Sequence, residues 1–275
     1  MAIIIFLVKM KVRKPAVVYM LNLATADVLY VSFLPSQIVY RFLGSNWMFG
    51  EVMCRFVMAA FYCNMYCSVL LMTIISVDRF LAVVYPVRSL SWRTVKRAWL
   101  VCGVIWVISL AGSVHFLIKQ QIATYHMQTL CHEFPNYDNF KTFYFFYGIT
   151  AISLLLLQLC IVTFCYIGII RTLSSSKVDG THKRSRAIRL SVVVLCVFVF
   201  SFMPITVIHL IHYVKVLSHD DSLYIPFRIF TSFSSINCCL DPLIYYFASS
   251  QSKKYVYRLL CWKKNECTPV TKTTK

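Results

Sequence analysis

The sequence alternates long apolar runs with short polar segments, and the runs have the length of membrane-spanning helices. Residues 54–86 form the least interrupted run, with no Gly and with Pro86 as its only proline. A helix from Cys54 to Arg79 would be about 38 Å long, which exceeds a hydrocarbon core of roughly 30 Å. This run predicts a tilted helix that connects a cysteine at its outer end with an Asp-Arg pair at its inner end.

Other apolar runs predict the rest of a helical bundle. Residues 1–8 reach only about 12 Å and are interpreted as the inner end of a first helix whose outer part is missing. Pro35 predicts a kink in the second span, and Pro204 lies inside the sixth. The second and the fourth to seventh spans are predicted at about 15–42, 98–118, 140–171, 187–213 and 223–248.

The predicted fold class is an all-α membrane protein: a seven-transmembrane helix bundle with a truncated first helix. Residues 1–248 form the transmembrane domain, with 1–8 as the partial first helix. Residues 249–275 form an amphipathic helix on the inner membrane face and a cytoplasmic tail, because basic residues alternate there with apolar ones. The outer loop before residue 140 is predicted to be extended or irregular.

The distribution of basic residues predicts the orientation of the bundle. Of the 28 Lys and Arg residues, 22 fall in segments that this topology places inside the cell, so the positive-inside rule puts the C-terminus in the cytoplasm. This asymmetry explains the net charge of +18 by membrane topology and by contact with anionic lipid, and it argues against nucleic acid as a partner. The six Lys and Arg residues that this topology places outside the cell are Arg41, Arg55, Lys119, Lys141, Lys215 and Arg228.

Composition supports the same class. The chain is 59% hydrophobic and 14% charged, with a mean hydropathy of +0.68, which excludes a soluble globular domain. Eight of the twelve cysteines lie within apolar spans, where Cys behaves as a small hydrophobic residue. Cys54 and Cys131 stand at outer ends of predicted segments, in a compartment that permits a disulfide. No spacing of paired cysteines indicates a metal site.

Polar side chains inside the spans are the first candidates for function. Asp27 lies in the middle of the second span. Asn64 and Ser68 share one helix face, and so do Asn237 and Asp241, because each pair is four residues apart. Oxygen atoms that converge in mid-membrane suit a small hard cation or a shared proton. Hydrogen bonding between helices explains the same residues equally well.

Several motifs in their order along the chain resemble the rhodopsin-like (class A) G-protein-coupled receptors. Asp78-Arg79-Phe80 resembles the inner-face arginine motif of that family, and residues 241–245 (DPLIY) resemble its seventh-helix motif. Within the class, the chain resembles the protease-activated receptors. The stretches that carry this resemblance are 14–32, 61–73, 78–86, 89–94, 131–132 and 241–250.

The resemblance implies a set of residues that transmit a signal. It implies a Cys54–Cys131 disulfide that holds the second outer loop over the bundle. It implies an allosteric sodium pocket formed by Asp27, Ser68, Asn237 and Asp241. The sodium ion is the one metal ion and the one cofactor expected. The residues implied for the activation switch and for G-protein coupling are Asp78, Arg79, Tyr166, Phe198, Phe202, Pro204, Pro242 and Tyr245.

The resemblance also implies a ligand and partners. In this subfamily the agonist is the receptor's own N-terminus, exposed by an extracellular protease such as thrombin. Heterotrimeric G proteins, arrestin and a receptor kinase are the implied partners, at the plasma membrane. Cys261 is either a palmitoylation site or an inert thiol. The implied ligand-binding residues, each also explained by ordinary packing, are Tyr62, His132, Glu133, Tyr213, Tyr224 and Phe227.

Some positions depart from the family pattern, and alternative functions follow from the same residues. Gln158 and His115 stand where the family usually has prolines in its fifth and fourth helices. The sequence is expected to be truncated at Met1, with the tethered-ligand ectodomain and its cleavage site missing. An alternative is a receptor for a diffusible peptide or nucleotide. A transporter or channel fits less well because no inverted repeat is visible. The chain is not expected to be an enzyme, since it has no HExxH or GxSxG motif.

Overall fold

The computed structural model describes residues 14–125, 128–132, 141–175, 192–201, 203–204, 207–208, 211 and 237–241. Within these ranges, four helical spans are long and apolar enough to cross a membrane. A fifth, shorter apolar helix follows them. This architecture agrees with the predicted helical membrane bundle.

The helices follow the predicted spans closely. The second span consists of α1 (Pro15–Val31) and α2 (Leu34–Phe42). The third is α3 (Gly50–Val84), followed by a 3-10 helix (Arg88–Ser91). The fourth is α4 (Val95–Ile118), the fifth is α5 (Lys141–Ser175), and the longest described stretch of the sixth is α6 (Val192–Ser201). Residues 237–241 are helical, as predicted for the seventh span.

The predicted kink in the second span is confirmed. The α-helix ends at Val31, and a new helix begins at Leu34, directly before Pro35. Because Pro35 has no N–H, the regular hydrogen bond to the carbonyl four residues earlier is lost. The hydroxyls of Ser32 and Ser36 donate to the Leu29 and Phe33 carbonyls around the break.

The third span is the centre of the bundle. α3 packs against α1, α4 and α5, and its 35 residues give a helix about 52 Å long. A large apolar core joins α1 to α3, and it also includes residues of α4, α5 and α6. Many apolar side chains on the outer surface of α4, such as Leu100 and Val107, are exposed. This is the distribution expected for a helix that faces lipid on one side.

The outer loop after α4 forms a β-hairpin. β1 (Ile122–Tyr125) pairs antiparallel with β2 (Gln128–Cys131), with Ile122 opposite Cys131. This outcome agrees with the predicted extended conformation of the loop. The hairpin also pairs with the first outer loop, because the Trp47 N–H donates to the Thr129 carbonyl over 2.7 Å and the Thr129 N–H donates to Asn46 Oδ1 over 3.0 Å.

Candidate ligand and signalling sites

A disulfide anchors the hairpin to the outer end of α3. Cys54 and Cys131 are joined, with their Cα atoms 5.8 Å apart. Both residues are buried in a second apolar cluster that includes Tyr40 and Trp47. The predicted disulfide is therefore present, and it fixes the end of β2 beside α3.

Beside the disulfide lies an aromatic cluster formed by α3, α4 and the hairpin. The Tyr62 and Phe116 rings stack with centroids 4.0 Å apart and an angle of 6°. His132 contacts both rings edge-on, and its Nε2 lies 3.1 Å from the Tyr62 hydroxyl. Of the predicted ligand-binding residues, the structure thus brings Tyr62 and His132 together. Burial and the neighbouring His115 lower the pKa of His132 to about 4.

The backbone around His132 is held in an unusual conformation. His132 has a φ of 58°, in the left-handed region that residues with a Cβ rarely adopt. Its N–H donates to the Gln121 carbonyl over 2.7 Å, and its Nδ1 lies 2.8 Å from Gln121 Oε1. Gln121 is buried, and sequence reasoning missed it because a Gln in an outer loop carries no recognisable pattern.

At the inner end of α3, a bidentate ion pair holds Asp78. Arg93 Nε and Nη2 donate to the two Asp78 carboxylate oxygens over 2.8 and 3.0 Å. Arg79, which the sequence suggested as the partner of Asp78, is 3.8 Å away from the same carboxylate. Asp78 is 5% exposed, so its charge depends on these arginines. Sequence reasoning missed Arg93 because it lies fifteen residues away, across the inner loop.

Polar side chains meet in the middle of the bundle, as expected. Asn64 Nδ2 donates to Asp27 Oδ1 over 3.3 Å, and Asn237 Nδ2 donates to Asp241 Oδ2 over 3.1 Å. The Asp241 carboxyl also lies within hydrogen-bonding reach of Asp27. Ser68 is fully buried one turn away from Asn64. The structure thus gathers Asp27, Asn237 and Asp241 in one place, with Ser68 on the adjacent face of α3.

These residues fit a small hard cation. Ser68 Oγ, Asn237 Oδ1 and Asp241 Oδ1 are buried and have no hydrogen-bond partner among the described residues. Neutral and carboxylate oxygens are the ligands that such cations prefer. The same described ranges contain no cluster of three His, Cys, Asp or Glu side chains that would hold a transition metal. These oxygens are of the kind that a sodium ion accepts as ligands, and the sodium site itself stays a prediction.

The remaining predicted residues fall into two groups. Phe198 is buried in the main core, Tyr166 is half-buried on α5, and Pro204 belongs to a helical residue pair after α6. Gln158 is buried on α5. The predicted residues outside the described part of the chain are Glu133, Phe202, Tyr213, Tyr224, Phe227, Pro242, Tyr245 and Cys261.

The described residues form a helical membrane bundle with an aromatic cluster at its outer end and an ion pair at its inner end, and a transmembrane receptor is one class of protein with this arrangement. The chain belongs to the family described as 7 transmembrane receptor (rhodopsin family), which matches residues 1–245. Membership in a receptor family confirms the expectation that the chain is not an enzyme, and it overrules the transporter or channel alternative.

Within that family the chain is similar to proteinase-activated receptors. It is 52% identical over 267 residues to proteinase-activated receptor 1 of Xenopus laevis, covering 96% of this chain and 63% of that protein. It is also 52% identical over 271 residues to proteinase-activated receptor 1 of Homo sapiens, covering 96% and 64%. The chain thus spans slightly less than two thirds of the length of these relatives. It is 34% identical to a purinoceptor of Gallus gallus, covering 88% of this chain and 69% of that protein.

Proposed function

We propose that this protein is a plasma-membrane receptor that activates heterotrimeric G proteins after an extracellular protease exposes a new N-terminus, which then acts as a tethered agonist. The proposal is carried by α3, one uninterrupted helix that has Cys54 and Tyr62 near its outer end and Asp78 at its inner end. The similarity to proteinase-activated receptor 1 supports the proteolytic step.

At the outer end, the agonist binds beside the hairpin. Tyr62 and His132 offer polar groups within an aromatic cluster, a combination that fixes the orientation of a peptide and buries its apolar side chains. The disulfide and the Thr129 hydrogen bonds hold the hairpin in place before the agonist arrives. A preorganised site loses less conformational entropy on binding, which favours tight binding of a short peptide.

At the inner end, activation changes the partners of Asp78. In the resting arrangement Arg93 and Arg79 share its carboxylate. When the sixth helix swings outward around Pro204, Arg79 is released toward the G-protein α-subunit. Tyr166 turns inward to line the same cavity. The agonist shifts this equilibrium only by binding the active arrangement more tightly than the resting one.

A sodium ion held by Asp27, Ser68, Asn237 and Asp241 would stabilise the resting arrangement, since the pocket joins three spans through charge and oxygen contacts. An arrestin and a receptor kinase would act on the same inner surface after activation. The basic inner segments would contact anionic lipid headgroups. Cys261 would carry a palmitoyl group.

A second candidate is a receptor for a diffusible ligand such as a nucleotide. The 34% identity to the Gallus gallus protein favours it, since that relative is a purinoceptor. The two candidates separate in cells that express the full-length protein. Protease treatment gives a G-protein response only if the tethered-agonist proposal holds, and added nucleotides give one only if the second candidate holds.

The coupling role is tested with Arg79→Ala in the full-length protein. We expect the variant to reach the cell surface but to lose most of its agonist-stimulated nucleotide exchange on purified G proteins, since Arg79 would no longer meet the α-subunit. Arg88→Gln is the matched control, because Arg88 is an exposed arginine of the inner loop. Full signalling by Arg79→Ala would refute the assigned role.

A further inference from the structure

Gln121 occupies the centre of a hydrogen-bonded chain between α3 and the hairpin. Its N–H donates to Glu51 Oε1 over 2.9 Å, and its carbonyl accepts from the His132 N–H over 2.7 Å. Its side chain bridges the Lys119 carbonyl at 3.3 Å and His132 Nδ1 at 2.8 Å. Gln121, which takes part in all four hydrogen bonds, is only 4% exposed.

The orientation of the Gln121 amide follows from its two neighbours. The Lys119 carbonyl is an acceptor, so it must face the amide nitrogen Nε2 rather than Oε1. Oε1 therefore faces His132 Nδ1, and this nitrogen must carry the proton. In the opposite orientation two oxygens would face each other, which is unfavourable. The neutral imidazole thus has its proton on Nδ1 and its lone pair on Nε2.

The tautomer of His132 decides the direction of the next hydrogen bond. Because Nε2 has a lone pair and no proton, the Tyr62 hydroxyl must donate to it across the 3.1 Å contact. The oxygen of Tyr62 then keeps its own lone pairs available. The chain from Gln121 through His132 therefore leaves lone pairs of the Tyr62 oxygen able to accept a hydrogen bond.

Glu51 and Arg55 fix the backbone on which this chain depends. The two Glu51 oxygens accept from the N–H groups of Gln121 and Ile122, over 2.9 and 3.1 Å. Arg55 Nε donates to Glu51 Oε1, and Arg55 Nη1 donates to the Leu117 carbonyl over 3.2 Å. One ion pair of α3 thus holds both the last turn of α4 and the start of β1.

We propose that Gln121 is a positioning residue of the agonist site: it sets the Nδ1–H tautomer of His132 and thereby makes the Tyr62 oxygen an acceptor for an N–H donor of the ligand. Glu51 and Arg55 hold Gln121 in the required place. The ligand would be a peptide or another molecule with an ammonium donor, and this assignment of the ligand class rests on the proposed function. The tautomer itself does not depend on what the ligand is.

Two near-isosteric substitutions separate the positioning role from simple packing. Gln121→Met keeps the side-chain length and removes the acceptor, whereas Gln121→Glu keeps the acceptor. Gln120→Met is the matched control, since Gln120 is exposed and its side chain donates to the Ile122 carbonyl rather than to His132. The probe is a synthetic peptide with the sequence of the new N-terminus that protease treatment of the full-length receptor produces, as determined by N-terminal sequencing.

The expected result is specific to each variant at equal surface expression. Gln121→Met weakens the peptide response about tenfold, the loss typical of one good hydrogen bond. Gln121→Glu weakens it less at pH 7.5, because it keeps the acceptor toward His132 but turns its second oxygen toward the Lys119 carbonyl, and Gln120→Met responds like the wild type. Tyr62→Phe weakens the response as much as Gln121→Met, and the double variant of these two shows no further loss, because both changes remove the same acceptor. Equal responses of Gln121→Met and Gln120→Met would overturn the proposal.

A pH profile gives a readout that packing alone would not change. The titratable groups around His132 in the described part of the chain are Tyr62 and His115, and the Glu51–Arg55 ion pair lies behind Gln121. In Gln121→Glu the new carboxylate raises the pKa of His132. As the pH falls from 7.5 to 5.5, His132 gains a proton on Nε2, this nitrogen donates to Tyr62, and the peptide response weakens. The wild-type response stays constant, and a parallel decline in both proteins would contradict the proposal.

The tautomer is measured directly by nitrogen-15 NMR of histidine-labelled receptor. The His132 signals are assigned by their loss in His132→Gln. Protonated Nδ1 in the wild type, and its loss or mixing in Gln121→Met, supports the proposal; protonated Nε2 in the wild type overturns it. This measurement needs no agonist. A wild-type receptor that does not respond to the peptide would therefore refute the proposed function, while the NMR result would still decide the tautomer of His132.

Discussion

At the scale of single residues, the ion pair at the inner end of α3 shows how neighbours in sequence differ from partners in space. Asp78 and Arg79 are adjacent on a helix, and adjacent helical side chains do not face each other. Arg93 approaches from the inner loop with its guanidinium in position to donate twice. The planar guanidinium matches the carboxylate geometry, so the more distant arginine makes the closer contact.

Removing this contact should destabilise the resting arrangement. We expect Arg93→Gln to destabilise the resting arrangement by about 2 kcal/mol, which is the scale of a charge-assisted hydrogen-bonded pair. Agonist-independent G-protein activity should therefore rise several-fold. Nucleotide exchange in membranes without agonist measures the effect. Arg88→Gln, at an exposed position of the same loop, should leave basal activity unchanged. Basal activity of Arg93→Gln equal to that of Arg88→Gln would contradict this role.

The lowered pKa of His132 predicts a dependence of stability on pH. The pKa is about 4 in the folded protein, against an ordinary value of 6.5. The unfolded chain therefore binds a proton between these values while the folded protein does not, so stability is lost as the pH falls from about 6.5 toward 4. The melting temperature of the wild type should decline more steeply over this window than that of His132→Gln. Equal slopes would show that His132 does not contribute to the dependence of stability on pH.

At the scale of helices, a glycine allows α3 and α5 to approach closely. A Cβ atom added at Gly168 would overlap the Phe80 ring, which also packs against Phe164 with centroids 5.7 Å apart. Phe80 follows directly after Arg79, and Gly168 lies two residues after Tyr166. The contact thus joins two spans at the level where the proposed activation switch operates.

Filling this space should weaken the packing of α3 on α5. We expect Gly168→Ala to lower stability by about 1–3 kcal/mol, the usual cost of overpacking, as measured by thermal unfolding in detergent. Gly103→Ala is the matched control, because no atom lies within 4 Å of a Cβ at that position of α4. Adding Phe80→Leu to Gly168→Ala should restore part of the loss. A stable Gly168→Ala protein would show that the ring moves aside freely.

At the scale of the whole molecule, the mid-membrane polar groups come from spans far apart in the chain. Asp27 belongs to α1, Asn64 and Ser68 to α3, and Asn237 and Asp241 to the seventh span. Each of these helices contributes groups that would be costly if they faced lipid alone. Their meeting in one place therefore supports both the packing of the bundle and the proposed cation site.

The sodium proposal predicts an ion-specific effect on agonist binding. Replacing N-methylglucamine by sodium at constant ionic strength should lower the affinity of the wild-type receptor for an agonist peptide several-fold, because sodium would stabilise the resting arrangement. Ser68→Ala should reduce this effect. Ser76→Ala should not, because Ser76 lies two turns away on α3 and donates to the Met72 carbonyl. A sodium effect that persists in Ser68→Ala would exclude Ser68 as a ligand.

The sequence by itself determined the second to fifth spans, their approximate ends and the kink at Pro35, and the described parts of the sixth and seventh spans are helical as well. The predicted partial first helix (1–8) and the amphipathic helix after residue 248 lie outside the described residues. Apolar run length and proline chemistry act locally, so they are visible without the fold. The motifs also identified the cysteines of the disulfide and the residues that meet at Asp27. The assigned roles of the ligand, sodium and switch residues stay predictions.

Only the tertiary structure decided which groups pair. Arg93 with Asp78, Gln121 with His132 and Gly168 with Phe80 are contacts between segments that are separated along the chain. Such contacts depend on the rotation and approach of whole helices and on the path of a loop, and these follow from the packing of the entire bundle. A side chain whose partner lies in a distant segment shows no periodic pattern in the residues next to it in the sequence.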